Sequence, residues 1–151
     1  MRIAGKMKRF EDLLSEDGVL IYRGTGTSML PFLRPDRDLM IIEPAAGRLK
    51  KYDVALYRRP DWRYVLHRVL AVRPRDYAIR GDNCERMEYG ITDADILGVM
   101  TAFVRDGKRV ETTNPRYRFG VRLWLALYPV RKAWRTLRRL PGKLRRLRGK
   151  A

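Results

Sequence analysis

Three short segments hold the residue types that acyl-transfer chemistry needs: Gly26-Thr27-Ser28-Met29-Leu30-Pro31, His67-Arg68-Val69 and Gly81-Asp82-Asn83. A serine hydroxyl is a poor nucleophile until a base takes its proton. An imidazole, with an unperturbed pKa of about 6.5, can do this at neutral pH. A carboxylate on the far ring nitrogen would fix the tautomer and stabilise the imidazolium. Asp82 is the first candidate for that carboxylate and Asp38 the second, while a Gly-Asp-Asn turn also forms for purely local reasons. Ser28 has small neighbours, which lets a peptide backbone approach. The backbone N–H of Ser28 or Met29 could face the oxyanion of an acyl-transfer intermediate. Cys84 is a second possible nucleophile only if His67 folds back to reach it.

The order and spacing of these pieces resemble a signal-peptidase-type serine peptidase, in the broad group shared with the self-cleaving repressor peptidases. The resemblance covers residues 20 to 104. It runs through Gly26-x-Ser28-Met29-x-Pro31, then Tyr52-Asp53-Val54 where the family usually has Gly-Asp-Val. His67-Arg68-Val69, Gly81-Asp82-Asn83 and Ile96-Leu97-Gly98-Val99 follow. The bacterial housekeeping branch carries Lys-Arg in the second motif. His67-Arg68 instead resembles the Ser-His branch of the endoplasmic reticulum, archaea and some spore formers. The resemblance implies Ser28 as nucleophile, His67 as general base and Asp82 as the supporting carboxylate. It also implies an oxyanion hydroxyl two residues before the nucleophile, where this chain has Gly26. Thr25, Thr27 or backbone donors alone would then serve, so Gly26, Thr27 and Met29 are assigned to the oxyanion and substrate cleft. An extended peptide with small residues before the scissile bond is the implied substrate. Val19 to Arg23, Leu66 and Tyr77 to Arg80 are candidate lining.

The resulting expectation is a serine endopeptidase acting on a signal or leader type of peptide by acyl-enzyme hydrolysis. One alternative is a repressor-like, self-cleaving or regulatory peptidase, for which Ala4-Gly5 is a possible cut. Another is a non-catalytic membrane-surface or RNA-binding module on an inactive peptidase fold. No cofactor is implied. Cys84 and His67 are too few soft ligands for a structural zinc site, so no metal is expected. A single cysteine also excludes an intramolecular disulfide framework.

The elements that must position these residues read as short strands between Gly and Pro turns. Strands are predicted at 19–23, 39–42, 54–58, 63–72, 77–80, 96–104 and 109–113, with a hairpin tip at Asp106-Gly107. A short amphipathic helix is predicted over 3–14, stopped by Asp17-Gly18. The expected fold is mainly β: a small, partly closed antiparallel sheet domain with a C-terminal basic amphipathic helical tail.

Charge and domain boundaries coincide in this reading. The chain has 151 residues, 34 of them Lys or Arg and 17 Asp or Glu, a net charge of +17. Residues 116–151 carry 13 of the basic residues and none of the acidic ones. The expected division is therefore 1–115 for the peptidase domain and 116–151 for the tail. Leu123, Leu127, Val130, Trp134, Leu137, Leu140, Leu144 and Leu147 make a helical stripe, with breaks expected at Pro129 and Pro141. Such a segment suits an anionic membrane surface first, docking of its apolar stripe on the β domain with the basic face wet second, and nucleic acid last because no recognition motif accompanies it. No run of about 20 apolar residues is present, so no membrane span is expected. Acidic residues from Glu11 to Asp17 interrupt the basic N-terminus, so no signal peptide is expected either. The expected location is cytoplasmic, peripheral at the inner face of the cell membrane.

Overall fold

A computed structural model describes residues 9–139. The chain separates into two compact units, residues 1–118 and 119–151.

The first unit opens with helix α1, Phe10–Asp17. Its start is capped by Asp12, whose carboxylate accepts the Arg9 backbone N–H at 3.2 Å. Gly18 ends it at φ 68°, a left-handed conformation that costs glycine nothing, and its N–H returns to the Leu14 carbonyl. The buried Leu14 and the ring of Phe10, 5.1 Å from Tyr22 and 4.7 Å from Tyr64, fix α1 to the sheet.

Eight antiparallel strands follow: β1 Leu20–Tyr22, β2 Leu39–Glu43, β3 Val54–Arg58, β4 Tyr64–Val72, β5 Tyr77–Arg80, β6 Glu88–Ile91, β7 Ile96–Arg105 and β8 Lys108–Glu111. The main ladder runs β1-β2-β7-β3-β4-β5-β6. β7 is long enough to serve three partners. Its Val99–Val104 segment pairs with β2, while its other edge is shared between β3 near Gly98 and β8 near Phe103. Asp106 and Gly107 turn β7 into β8 with φ of 49° and 76°, the conformation a two-residue hairpin demands.

Side chains alternate across the sheet, and both faces are covered. Val54 and Leu56 of β3 join Leu20, Met40, Ile42 and Phe103 in one cluster. Ala55 and Tyr57 of the same strand join Val69, Tyr77 and Ile79 in the other. This is why β3 reads as an unbroken apolar run.

The expectation of a mainly-β, partly closed domain with a separate helical tail is overturned. The fold is mixed α/β, with 26% helix and 34% strand, an open, uncurled sheet and helices distributed through the chain. The strands at the two ends of the ladder, β1 and β6, do not pair with each other, so no barrel closes. Helix α2, Pro115–Ala126, begins inside the first unit: the Tyr117 ring packs 5.7 Å from both Phe32 and Phe103.

Helix α3 is Tyr128–Arg139. Pro129 was the expected break, but the interruption falls at Leu127. Pro129 instead occupies the first turn of α3, where a missing N–H is harmless. Residues 3–8 of the expected N-terminal helix, and Leu140, Pro141, Leu144 and Leu147 of the stripe, lie outside the described residues. No helix among the described residues is long and apolar enough to cross a membrane.

Candidate active site

Ser28 lies in the turn that follows β1 and the Gly24–Thr27 loop. The turn is anchored at Leu33, whose N–H donates to the Met29 carbonyl, and by the buried Met29 and Leu33 side chains. The Ser28 carbonyl accepts the Asn83 backbone N–H at 2.8 Å, and the Asn83 side chain donates to the Thr27 carbonyl at 3.3 Å. The first and third sequence segments are thus bound together. The backbone N–H groups of Ser28 and Met29 donate to no other described residue, which leaves two consecutive donors at this turn. Gly26 and Thr27 are exposed just before them.

His67 sits on β4, buried, opposite Ala55. Gly81 lies one step beyond the Arg68–Arg80 pair of β4 and β5. A Cβ added there would fall 2.7 Å from the Ser28 carbonyl oxygen, 3.0 Å from His67 Nε2 and 2.8 Å from Cys84 Sγ. Only glycine lets the Ser28 turn, the imidazole and the Cys84 thiol converge on one point. Ser28 and His67 are therefore neighbours across Gly81. Among the described residues no hydrogen bond joins the Ser28 hydroxyl to the ring.

The far ring nitrogen does not meet Asp82. His67 Nδ1 lies 3.0 Å from Glu88 Oε1 and 3.3 Å from the Tyr57 hydroxyl. Glu88 is in turn held by Arg59 through two hydrogen bonds of 2.8 and 2.6 Å. Burial alone would raise the Glu88 carboxyl, but the Arg59 and Tyr57 hydrogen bonds and the Arg59 charge hold it below its ordinary range. As an ionised, acceptor-only group, Glu88 accepts a hydrogen bond from Nδ1–H, which keeps the proton on Nδ1 and the lone pair on Nε2, the nitrogen beside Gly81. Burial holds the imidazole below its usual pKa against the opposing pull of Glu88. The resting ring is neutral at pH 7, as a general base must be. Burial also raises the pKa of Tyr57, chiefly with the Glu88 charge.

Asp82 has a different partner. Its carboxylate grips Arg68 in a two-pronged pair, Nε–Oδ1 2.8 Å and Nη2–Oδ2 2.7 Å. Arg68 and Asp82 are 1% and 2% exposed, so each is the charge that makes burial of the other tolerable. Arg68 also donates to the Tyr52 carbonyl and the Tyr117 hydroxyl, between the rings of Phe32 and Tyr117. Tyr52, where the resembled family has glycine, adopts φ 81°. The Tyr52 N–H and carbonyl are fixed by Val69 and Arg68, and these bonds hold a non-glycine residue in the left-handed region. Asp38, the second candidate carboxylate, is buried and bound to Arg34 and Arg105, with no link to His67.

Two clefts flank the pair. One, of about 290 Å³, holds Ser28, Tyr22, Met29, Met40, Tyr64 and Leu66 among its walls. Tyr22 and Leu66 were expected lining, while Tyr77 to Arg80 are buried in the sheet. The other, of about 620 Å³, is lined by His67, Cys84, Arg59, Arg63, Arg86 and Glu88 among others. Cys84 shares the His67 cleft, but burial, with the Glu88 charge, pushes its thiol pKa up and keeps it protonated.

The sequence reading did not single out Glu88, Arg59 or Tyr57. Glu88 lies in β6, a four-residue strand containing Gly90 that has no alternating pattern. The available signal was positional, since the segment after the Gly-Asp-Asn turn returns to the sheet as β6 beside β5, one strand beyond the strand that carries His67. No group of three or more potential metal ligands occurs among the described residues. No family model, curated protein or solved structure matches the chain.

Proposed function

We propose that this chain is a serine endopeptidase of the signal-peptidase-like, Ser-His type. The observation that carries the reading is the convergence of the Ser28 backbone carbonyl and His67 Nε2 on Gly81, which makes the two residues neighbours, with Glu88 on the opposite ring nitrogen. Ser28 Oγ attacks the scissile carbonyl while Nε2 takes its proton. The Ser28 and Met29 N–H groups receive the developing oxyanion. The imidazolium, supported by Glu88, then protonates the departing amine, and water activated by the same ring releases the acyl group. An unliganded site of this kind is commonly looser than its reacting form.

The substrate is an extended peptide. β1 pairs on one side only, with β2, so its free edge beside the Ser28 cleft offers main-chain partners to a further strand. The 290 Å³ cleft between Met29, Met40 and Leu66 suits short apolar side chains before the scissile bond. Signal or leader peptides are the substrate class that fits both features.

Mass spectrometry of a peptide library with small residues at fixed positions tests the reading. Wild type should cut at defined bonds, and Ser28→Ala and His67→Ala should not. Equal cutting by Ser28→Ala would reject the proposal.

A further inference from the structure

We propose that α2 and α3 together form a face that lies in the plane of an anionic lipid surface. Five apolar residues repeat at helical spacing across the two helices, and all are open to solvent. Leu123 is 47% exposed, Leu127 44%, Val130 65%, Trp134 58% and Leu137 62%. Steps of four, three, four and three keep them on one side of a helix. The interruption at Leu127 does not break the row. The Leu127 N–H donates to the Leu123 carbonyl and the Arg131 N–H to the Leu127 carbonyl, so the helical ladder continues through the junction. Arg131 also staples the joint: its guanidinium lies 3.6 Å over the Trp124 ring and donates to the Trp124 carbonyl. The row spans roughly 20 Å at 1.5 Å per residue.

Charge selects the occupant. No acidic residue follows Glu111, and Arg131 and Arg138 border the row on α3 while Arg135 and Lys132 lie further round the helix. The Arg138 guanidinium lies 5.2 Å from the centre of the Trp134 ring, uniting cation and aromatic at the edge of the apolar side. An exposed apolar row that contains a tryptophan and is bordered by arginine matches the boundary between acyl chains and acidic headgroups. A second copy of this chain would bring the same excess of basic side chains to the contact. A nucleic acid would meet the cations but give the five apolar side chains nothing to bury against.

The test is co-sedimentation of the full chain with vesicles. One set is phosphatidylcholine alone, and the other mixes it with an equal amount of phosphatidylglycerol. Wild type should bind the mixed vesicles at least about tenfold better than the neutral ones, with the advantage shrinking at high salt. Trp134→Ala/Leu137→Ala changes only exposed positions and should lower binding about tenfold. Arg135→Gln/Arg138→Gln tests the charge independently and should lower it by a similar factor. Circular dichroism and thermal melting verify that each variant is folded, and if one is not, the other decides. Equal binding to the two vesicle types, or binding unchanged in a folded variant, overturns the proposal. Binding to polyuridylate RNA that survives Trp134→Ala/Leu137→Ala, with no vesicle binding by wild type, also overturns it and assigns the face to nucleic acid. None of these outcomes depends on peptidase activity.

Discussion

Glu88 Oε1 lies 3.0 Å from His67 Nδ1, and Arg59 holds that carboxylate from the other side. Asp82, the aspartate expected there, is committed to Arg68. The two carboxylates therefore have separable tasks. Glu88→Gln should retain the fold and lose activity, by roughly a hundredfold or more in kcat. Asp82→Asn leaves a buried guanidinium without its counter-charge and should cost about 3 kcal/mol of stability. Thermal melts and peptide cleavage on the same preparations separate them. A Glu88→Gln enzyme with undiminished kcat would remove Glu88 from the mechanism.

The pH profile follows from the state of His67. The base is the neutral imidazole, so activity falls as the ring is protonated. Burial depresses the ring's pKa, so the acidic limb of kcat/KM should have its midpoint below about 6.5. The Glu88 charge opposes that depression, and Glu88→Gln should move the midpoint further down, measured on whatever residual activity remains. A midpoint that rises in this variant contradicts the assignment.

Gly81 should not tolerate a side chain. Alanine there would place its Cβ 2.7 Å from the Ser28 carbonyl and 3.0 Å from His67 Nε2. The backbone carbonyl cannot rotate away, so the turn that carries Ser28 must shift. Gly81→Ala should lose about 1–3 kcal/mol of stability. It should also lose activity beyond what that destabilisation explains at a temperature where it stays folded. Gly26→Ala, with open space around the added Cβ, is the matched control and should melt close to wild type.

The leaving half of the substrate must pass His67, because that ring hands its proton to the departing amine. Arg59, Arg63 and Arg86 line the cleft there, Arg59 paired with Glu88 and Arg63 with Asp61. Peptides with Asp or Glu just after the scissile bond should be cut roughly twofold to fivefold more efficiently than Lys counterparts, the range an exposed ion pair supports. Arg86→Gln should narrow the ratio. A preference for Lys would place the leaving segment elsewhere.

Much of the strand pattern was legible because it rests on local chemistry. β3 and β5 begin and end where apolar content and flanking turns place them, and Asp106-Gly107 forms the hairpin tip. The proportions and closure of the fold were less legible. Strand count says nothing about whether end strands meet, and that depends on side-chain packing between distant segments. At the candidate site, the motifs singled out Ser28 and His67, and the fold brings both beside Gly81. The partner of His67 was not legible, because two carboxylates competed and tertiary contacts separated them. Arg68, adjacent to His67 but on the other face of β4, captured Asp82 and left Nδ1 to Glu88. Pro129 shows the same limit, since a helix breaker in mid-helix is harmless in the first turn of the next one.

β7 is made late and is needed everywhere. β2, β3 and β8 all depend on it for an edge, so residues 39–58 have no complete sheet to join until residues 96–105 have left the ribosome. The nucleophile turn is synthesised early, yet its mounting is finished last. Such high sequence separation between partners slows assembly. It also means that a growing chain carries Ser28 and His67 for some time before the fold brings them together beside Gly81, so the order of synthesis would delay the proposed reaction until the scaffold is whole.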